Sequence, residues 1–216
     1  MASPLKLCMV SGSFEYDSEA SLKLFERHVR DEYRMETTTV VFSTEDDDQS
    51  LSALDHADVM LLFSRRLKTS GADLDRLQKY CAAGRPVVGV RTASHGFQNW
   101  LGFDHEVLGG NYNMHFKPGP DVAVEIVPGE AAKHPVLDGV GGFVTQGSLY
   151  RNEPIAVDTT LLLTGTSVDA TEPVAWTRLH EGGRVFYTSL GYQQDFQEGN
   201  FLRLLSNGVL WAAGRL

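Results

Sequence analysis

Cysteine is scarce in this chain. Only Cys8 and Cys81 occur in 216 residues, and no Asn-x-Ser/Thr sequon is present. A disulfide framework is therefore excluded, and the composition fits a reducing compartment better than an oxidising exterior. Long apolar runs are also missing: the longest, Val59 to Phe63, covers five residues, far short of the roughly 20 that span a bilayer. The opening Met1-Ala-Ser-Pro-Leu-Lys6 shows no basic region followed by an apolar stretch, so the expectation is a soluble, cytoplasmic protein without a membrane role. Positive charge is the next deficit. Lys and Arg number 19 against 28 Asp and Glu, a net charge of −9, which removes any general attraction to nucleic-acid phosphates or anionic lipid. Repeats, Pro/Ser linkers and low-complexity tracts are absent, and the length suits one compact domain, 1–216.

What is present reads as alternating strand and helix. Leu5 to Val10 is a compact apolar run ending in Ser11-Gly12, and Ser18 to Glu32 carries apolar residues near helical spacing. Thr37 to Phe42 is rich in Thr and Val and leads into an acidic loop, Val59 to Phe63 is a third strand, and Leu74, Leu77 and Cys81 mark a helix that stops at Gly84. Pro86 to Val90 then forms a fourth buried strand. Four such alternations predict a doubly wound, mainly parallel α/β sheet with helices on both faces. After Gly102 the texture changes to Gly-rich loops and further strands at Val122–Val127, Thr160–Thr164, Val174–Leu179 and Arg184–Ser189, the last two joined as a hairpin at Glu181-Gly182-Gly183. Phe201 to Ala213 closes the chain as an amphipathic helix.

Ligands of such sheets collect beyond the carboxyl ends of the strands. The loops there carry Ser13, Glu15, Tyr16, Arg65, Arg66, Arg91, Ser94 and His95. Gly89 stands just before a strand-to-helix turn of the kind that exposes one side chain at the top of the sheet, and Arg91 takes that exposed slot. His95, His105 and His115 fall in one short stretch. His105, in Phe103-Asp104-His105-Glu106, reads as a solvated loop residue, and His134 before Pro135 as structural. Gly102, Gly109 and Gly110 let the chain turn back so that His95 and His115 share a pocket. Two readings of that pocket stay open: proton exchange by the imidazoles, or a divalent metal held with Glu15 or Asp195. Gln146–Glu153 and Gly191–Phe196 add amides, a carboxylate and rings of the sort that suit sugar hydroxyls and C–H faces. Trp100, Trp176 and Trp211 read as core anchors.

Five ordered segments resemble the ThuA-like (trehalose utilisation) family of the class I glutamine amidotransferase-like superfamily. They are Gly89-Val-Arg-Thr-Ala-Ser-His95, Leu108-Gly-Gly-Asn-Tyr-Asn-Met-His115, His134-Pro-Val-Leu-Asp-Gly139, Pro173-Val-Ala-Trp176 and Arg184-Val-Phe-Tyr-Thr-Ser-Leu-Gly191. The resemblance implies a flavodoxin-like fold and a role in sugar catabolism. Glutamine amidotransferases place a cysteine nucleophile at the elbow, where this chain resembles them only in position and has Arg91, so glutaminase activity is not expected. ThuA relatives usually show His at the elbow and Gly-His after the final strand; here stand Arg91 and Gly191-Tyr192.

The site expected on these grounds has His95, His115, Arg91 and Asp195 as catalytic residues. Glu15, Tyr16, Arg65, Arg66, Ser94, Asn111, Tyr192 and Gln193 would bind substrate. The expected activity is that of a carbohydrate-active hydrolase, lyase or isomerase on a disaccharide or keto-sugar; the alternative is a non-catalytic ligand-binding or scaffold module. A small-molecule sugar is the expected partner, no cofactor beyond a divalent metal is called for, and a homo-oligomer stays open.

Overall fold

A computed structural model describes residues 3–117 and 119–216. Its strands are β1 (Lys6–Gly12), β2 (Glu36–Val41), β3 (Val59–Ser64), β4 (Val87–Val90), β5 (Met114–His115), β6 (Val122–Ile126), β7 (Phe143–Thr145), β8 (Tyr150–Arg151), β9 (Thr160–Thr166), β10 (Thr171–His180) and β11 (Gly183–Thr188). Its α-helices are α1 (Ser18–Tyr33), α2 (Gly71–Ala82) and α3 (Gly199–Ala212). Nine strands make one sheet in the order β2-β1-β3-β4-β11-β10-β9-β6-β7. The first five of that order run parallel, whereas β10, β9, β6 and β7 continue antiparallel. β5 and β8 form a separate two-stranded ribbon.

Both faces of the parallel half are covered, which is why its strands read as continuous apolar runs. The pleat sorts them: Leu7 and Met9 of β1 join α1 (Leu22, Phe25, Val29) and α3 (Phe201, Leu204, Leu205) in one core. Cys8 and Val10 face the other way, onto Leu77, Tyr80 and Cys81 of α2. Burial pushes the thiols of Cys8 and Cys81 up to about 11 and about 12. They act as small apolar groups, without thiolate character. The helix ends are fixed locally: Asp17 accepts from the Ala20 amide, and Arg34 closes α1 in the left-handed conformation at φ 54°. Among the described residues no helix is long and apolar enough to cross a membrane.

The expected alternation is corrected at two places. Between β2 and β3 the chain makes only the 3-10 turn Ser52–His56, and after β4 the 3-10 turn Arg91–His95 and the one-turn π-helix Asp104–Leu108, rather than an α-helix. The first connection is rich in Asp and Ser, with Leu51 and Leu54 buried against the sheet, and the second is interrupted by Gly96 and Gly102. The hairpin at Glu181-Gly182 is formed, with φ of 49° and 78°, joining β10 to β11.

Candidate functional site

The site grows from the elbow after β4. Gly89 is required there, since a Cβ would stand 2.9 Å from the Tyr187 ring and 3.0 Å from Leu108. Arg91 follows at φ 46°, a left-handed conformation that costs a non-glycine residue about 1–2 kcal/mol. The Tyr187 hydroxyl holds it there by donating to the Arg91 carbonyl at 2.8 Å.

The expected exposure of Arg91 is overturned: the residue is only 2% exposed. Its guanidinium lies 4.3 Å from the Tyr16 ring centre and 4.7 Å from that of Tyr150. Nη1 donates to the Ser189 carbonyl at 2.9 Å, and Nη2 faces the Ser148 carbonyl and hydroxyl at 3.2 Å and the Tyr16 hydroxyl at 3.3 Å. The reason is tertiary. Residues 145–151 and Tyr16 roof the elbow, and no local motif announces a roof delivered from fifty positions away. Arg91 is thus a buried cation clamped between two aromatic faces. Asp195 is also buried. Its Oδ2 accepts from the amides of Gly191 and Tyr192 at 2.9 and 2.8 Å, which pins the turn after β11. Burial raises its carboxyl against the opposing pull of the Thr145 hydroxyl, those amides and Arg91.

In front of the clamp lies a cleft of about 270 Å³ whose wall includes Arg66, Ser94, His95, Gln98, Asp104 and Tyr112. The His95 ring stacks on Tyr112 with centres 4.5 Å apart, and its Nδ1 lies 3.1 Å from the Ser94 hydroxyl. Nε2 makes no hydrogen bond among the described residues. Burial first, then the positive charges of Arg65, Arg66 and Arg91, push the imidazole down to about 3. It is a neutral base throughout the ordinary pH range.

The other expected residues fall around this centre. Tyr150 is a common neighbour of both imidazoles, at 6.2 Å from His95 and 6.3 Å from His115. His115, however, is exposed on the β5–β8 ribbon, with Nδ1 2.8 Å from the Phe116 carbonyl, and does not line the cleft. Glu15 pairs with Arg65 at 3.2 Å, and Glu45 pairs with the same guanidinium at 3.4 Å. Arg66, at φ 52°, stays exposed on the rim. Asn111 ties the wall to the Glu153 carbonyl, Tyr192 meets Tyr16 edge-on, and Gln193 is exposed on the turn after β11. His134 accepts from the Val136 amide and packs on Trp211, in keeping with a structural role. Among the described residues no group of three His, Cys, Asp or Glu is gathered closely enough to hold a metal ion. The grouping of His95 and His115 with Glu15 or Asp195 is not formed.

Sequence reasoning missed Asp104. Its acidic neighbours suggested a solvated loop, whereas Phe103, Asp104, Val107 and Leu108 are all buried in a one-turn π-helix. That apolar bracket around the aspartate was the available signal. Oδ2 accepts from the Tyr112 amide at 2.8 Å, and Oδ1 is buried with no partner. Burial pushes the carboxyl up to about 7, so the cleft wall carries a group that holds or releases a proton near neutrality. A larger hollow of about 430 Å³ beside α2 lacks this quality. There Arg76 is paired with Asp55 and Asp73, and Arg85 donates to the carbonyls of Leu54 and Ala57.

The mainly parallel sheet with its elbow is a fold shared with solved structures of low sequence identity. The chain superposes on a glutamine amidotransferase of Thermotoga maritima with a TM-score of 0.60 at 10% identity, covering 98% of this chain and 99% of that one. Similarity is greater to ThuA-like proteins of Bacteroides uniformis (TM-score 0.74, 19% identity, 98% and 93% covered) and Parabacteroides merdae (0.76, 17%, 98% and 90%). The family model for ThuA, trehalose utilisation, matches residues 7–212, and the chain belongs to that family. No curated protein matches it.

Proposed function

We propose that the cleft in front of the elbow binds a sugar bearing a carbonyl, a disaccharide or keto-sugar, and that Asp104 exchanges a proton with it beside a neutral His95. The observation that carries this reading is the pairing of a neutral imidazole, its Nε2 free of protein partners, with a buried carboxyl that titrates near 7 in the same wall. Of the two, the Asp104 carboxyl lies near the operating pH, as proton transfer at carbon or at a glycosidic oxygen requires, while His95 stays a neutral hydrogen-bonding partner beside it. Tyr112 and Trp100 give the wall aromatic surface for a sugar's C–H face. The volume is near the lower end of small-molecule sites, so it suits one sugar ring, and a second ring of a disaccharide extends over the rim. Family membership supports a link to trehalose utilisation, and we place this activity in the cytoplasm.

Arg91 acts here as a positioning residue. It holds Tyr16 and Tyr150 in place and adds positive potential behind His95. Glutaminase activity is not part of the reading, because the elbow holds a guanidinium and both thiols are buried. The clamp also favours a second reading, a binding module without turnover, since Arg91, with both Nη groups engaged, stands where the nucleophile would be. A thermal-shift screen with mono- and disaccharides and their keto derivatives tests binding; incubation of any stabilising sugar, followed by NMR of the sugar, tests turnover. Stabilisation lost in His95→Ala supports the site. Equal stabilisation of parent and variant removes it.

A further inference from the structure

The cleft sits in an acidic protein, yet the fixed charges around its mouth are cationic. The chain carries −9 overall, while Arg66 is in the cleft wall, Arg65 stands beside it and Arg91 lies behind His95. Of these, Arg65 is answered by Glu15 and Glu45, and Arg91 is buried against carbonyls and tyrosine rings. Arg66 makes no ion pair among the described residues. The neighbouring Lys68 is taken by Asp46 at 2.7 Å.

Nor is Arg66 placed by chance of surface. Its amide donates to the His95 carbonyl at 2.8 Å, the next amide, of Leu67, donates to the Gly96 carbonyl at 2.8 Å, and Gln98 donates back to Leu67 at 2.8 Å. These bonds splice the segment after β3 onto the elbow turn. They hold Arg66 in the left-handed region, at φ 52°, where a side chain is rarely found without a reason in the surrounding structure. The acidic groups that face the cleft do not neutralise it. Glu106 does not line the cleft, and Asp104, which does, is a carboxyl raised towards neutrality by burial, ready to keep its proton when an anion approaches. His95 adds no competing charge, being held neutral by burial first and then by the arginines around it.

We propose that the sugar bound in this cleft carries an anionic substituent, a carboxylate or a phosphate, and that Arg66 binds it. This rests on the sugar-site reading above and adds the charge class of the ligand. A guanidinium gives such groups a two-pronged hydrogen-bonding partner, stronger than a neutral contact. Selectivity follows from the same geometry: a neutral sugar leaves Arg66 unpaired, whereas a sugar acid or sugar phosphate spans from Arg66 to the His95 end of the wall.

Isothermal titration at neutral pH and low salt separates the possibilities, with glucose, glucuronate, glucose 6-phosphate and inorganic phosphate as probes. Glucuronate or glucose 6-phosphate is expected to bind about ten-fold more tightly than glucose, with the advantage shrinking as salt is raised. The two charged sugars tell a carboxylate from a phosphate. Arg66→Asn tolerates the left-handed backbone and is expected to erase the advantage, and Arg66→Lys to retain part of it. Glucose bound as tightly as the charged sugars, or an advantage intact in Arg66→Asn, overturns the proposal and leaves the sugar site standing. Inorganic phosphate bound through Arg66 as tightly as glucose 6-phosphate upholds the anion and overturns the sugar. No binding of any probe overturns both.

Discussion

Arg91 and His95 stand four residues apart on one turn, yet their surroundings treat charge in opposite ways. Around Arg91 four hydrogen-bond acceptors and two aromatic rings converge on the Nη groups of a permanent cation, leaving Nε as its one buried nitrogen without a partner among the described residues. Around His95 burial, and then the same cation and its neighbours, oppose protonation, and among the described residues Nε2 makes no hydrogen bond and Asp104 Oδ1 is buried without one. Satisfied polar groups rigidify a site; unsatisfied ones retain capacity for a ligand. The difference is the ground on which we assign the clamp to the scaffold and propose the cleft as the working surface.

Breaking the clamp is expected to have the largest effect. Arg91→Ala removes a buried cation, strands the Ser148 and Ser189 carbonyls and leaves a cavity, and should cost about 3–5 kcal/mol in urea unfolding. A loss below about 1 kcal/mol would mean that the guanidinium is not the keystone of the roof. Gly89→Ala comes next: the added methyl meets the Tyr187 ring and Leu108, and overpacking of this kind costs about 1–3 kcal/mol. Equal stability of the variant and the parent would show that the elbow can shift to admit a side chain.

The cleft sharpens the comparison through pH. His95, lowered in the fold, favours the native state above its ordinary value of 6.5 and loses that contribution as pH falls towards about 3. Asp104, raised to about 7, contributes fully below its ordinary 3.8 and loses the contribution as pH rises through 7. His95→Gln should therefore flatten the decline in stability on the acid side. Asp104→Asn should be relatively more stable than the parent at pH 8 than at pH 4. Denaturation series at several pH values check both signs, and parallel curves for parent and variants would remove the two groups from the argument. The smallest effect expected is none: glutamine should release no ammonia, in the parent or in Cys81→Ala.

Much of the frame was legible in the residues. The apolar runs at β1, β3 and β4 and the Gly-Gly hairpin between β10 and β11 are local signals, and the structure shows them with ends shifted by a residue or so. Arg66, Ser94 and His95 were also readable, because each lies on a loop directly after a parallel strand. Burial delivered from afar was not readable. Arg91 looked exposed because its roof comes from β8 and from Tyr16, and Asp104 looked solvated because its charged neighbours outweighed the apolar Phe103, Val107 and Leu108 around it. His115 follows the same lesson in reverse. The glycines do return the chain, but to a ribbon that leaves the imidazole outside the cleft.

The elbow keeps its charge on the clamp and its cleft imidazole neutral. Following the ring nitrogen signals of His95 by NMR through a pH titration tests it directly, with His95→Gln used to assign them. A neutral ring is expected from pH 8 down to the acid limit of the fold, its midpoint near the value of about 3 set by burial and the arginines. A midpoint close to the ordinary 6.5 would contradict it.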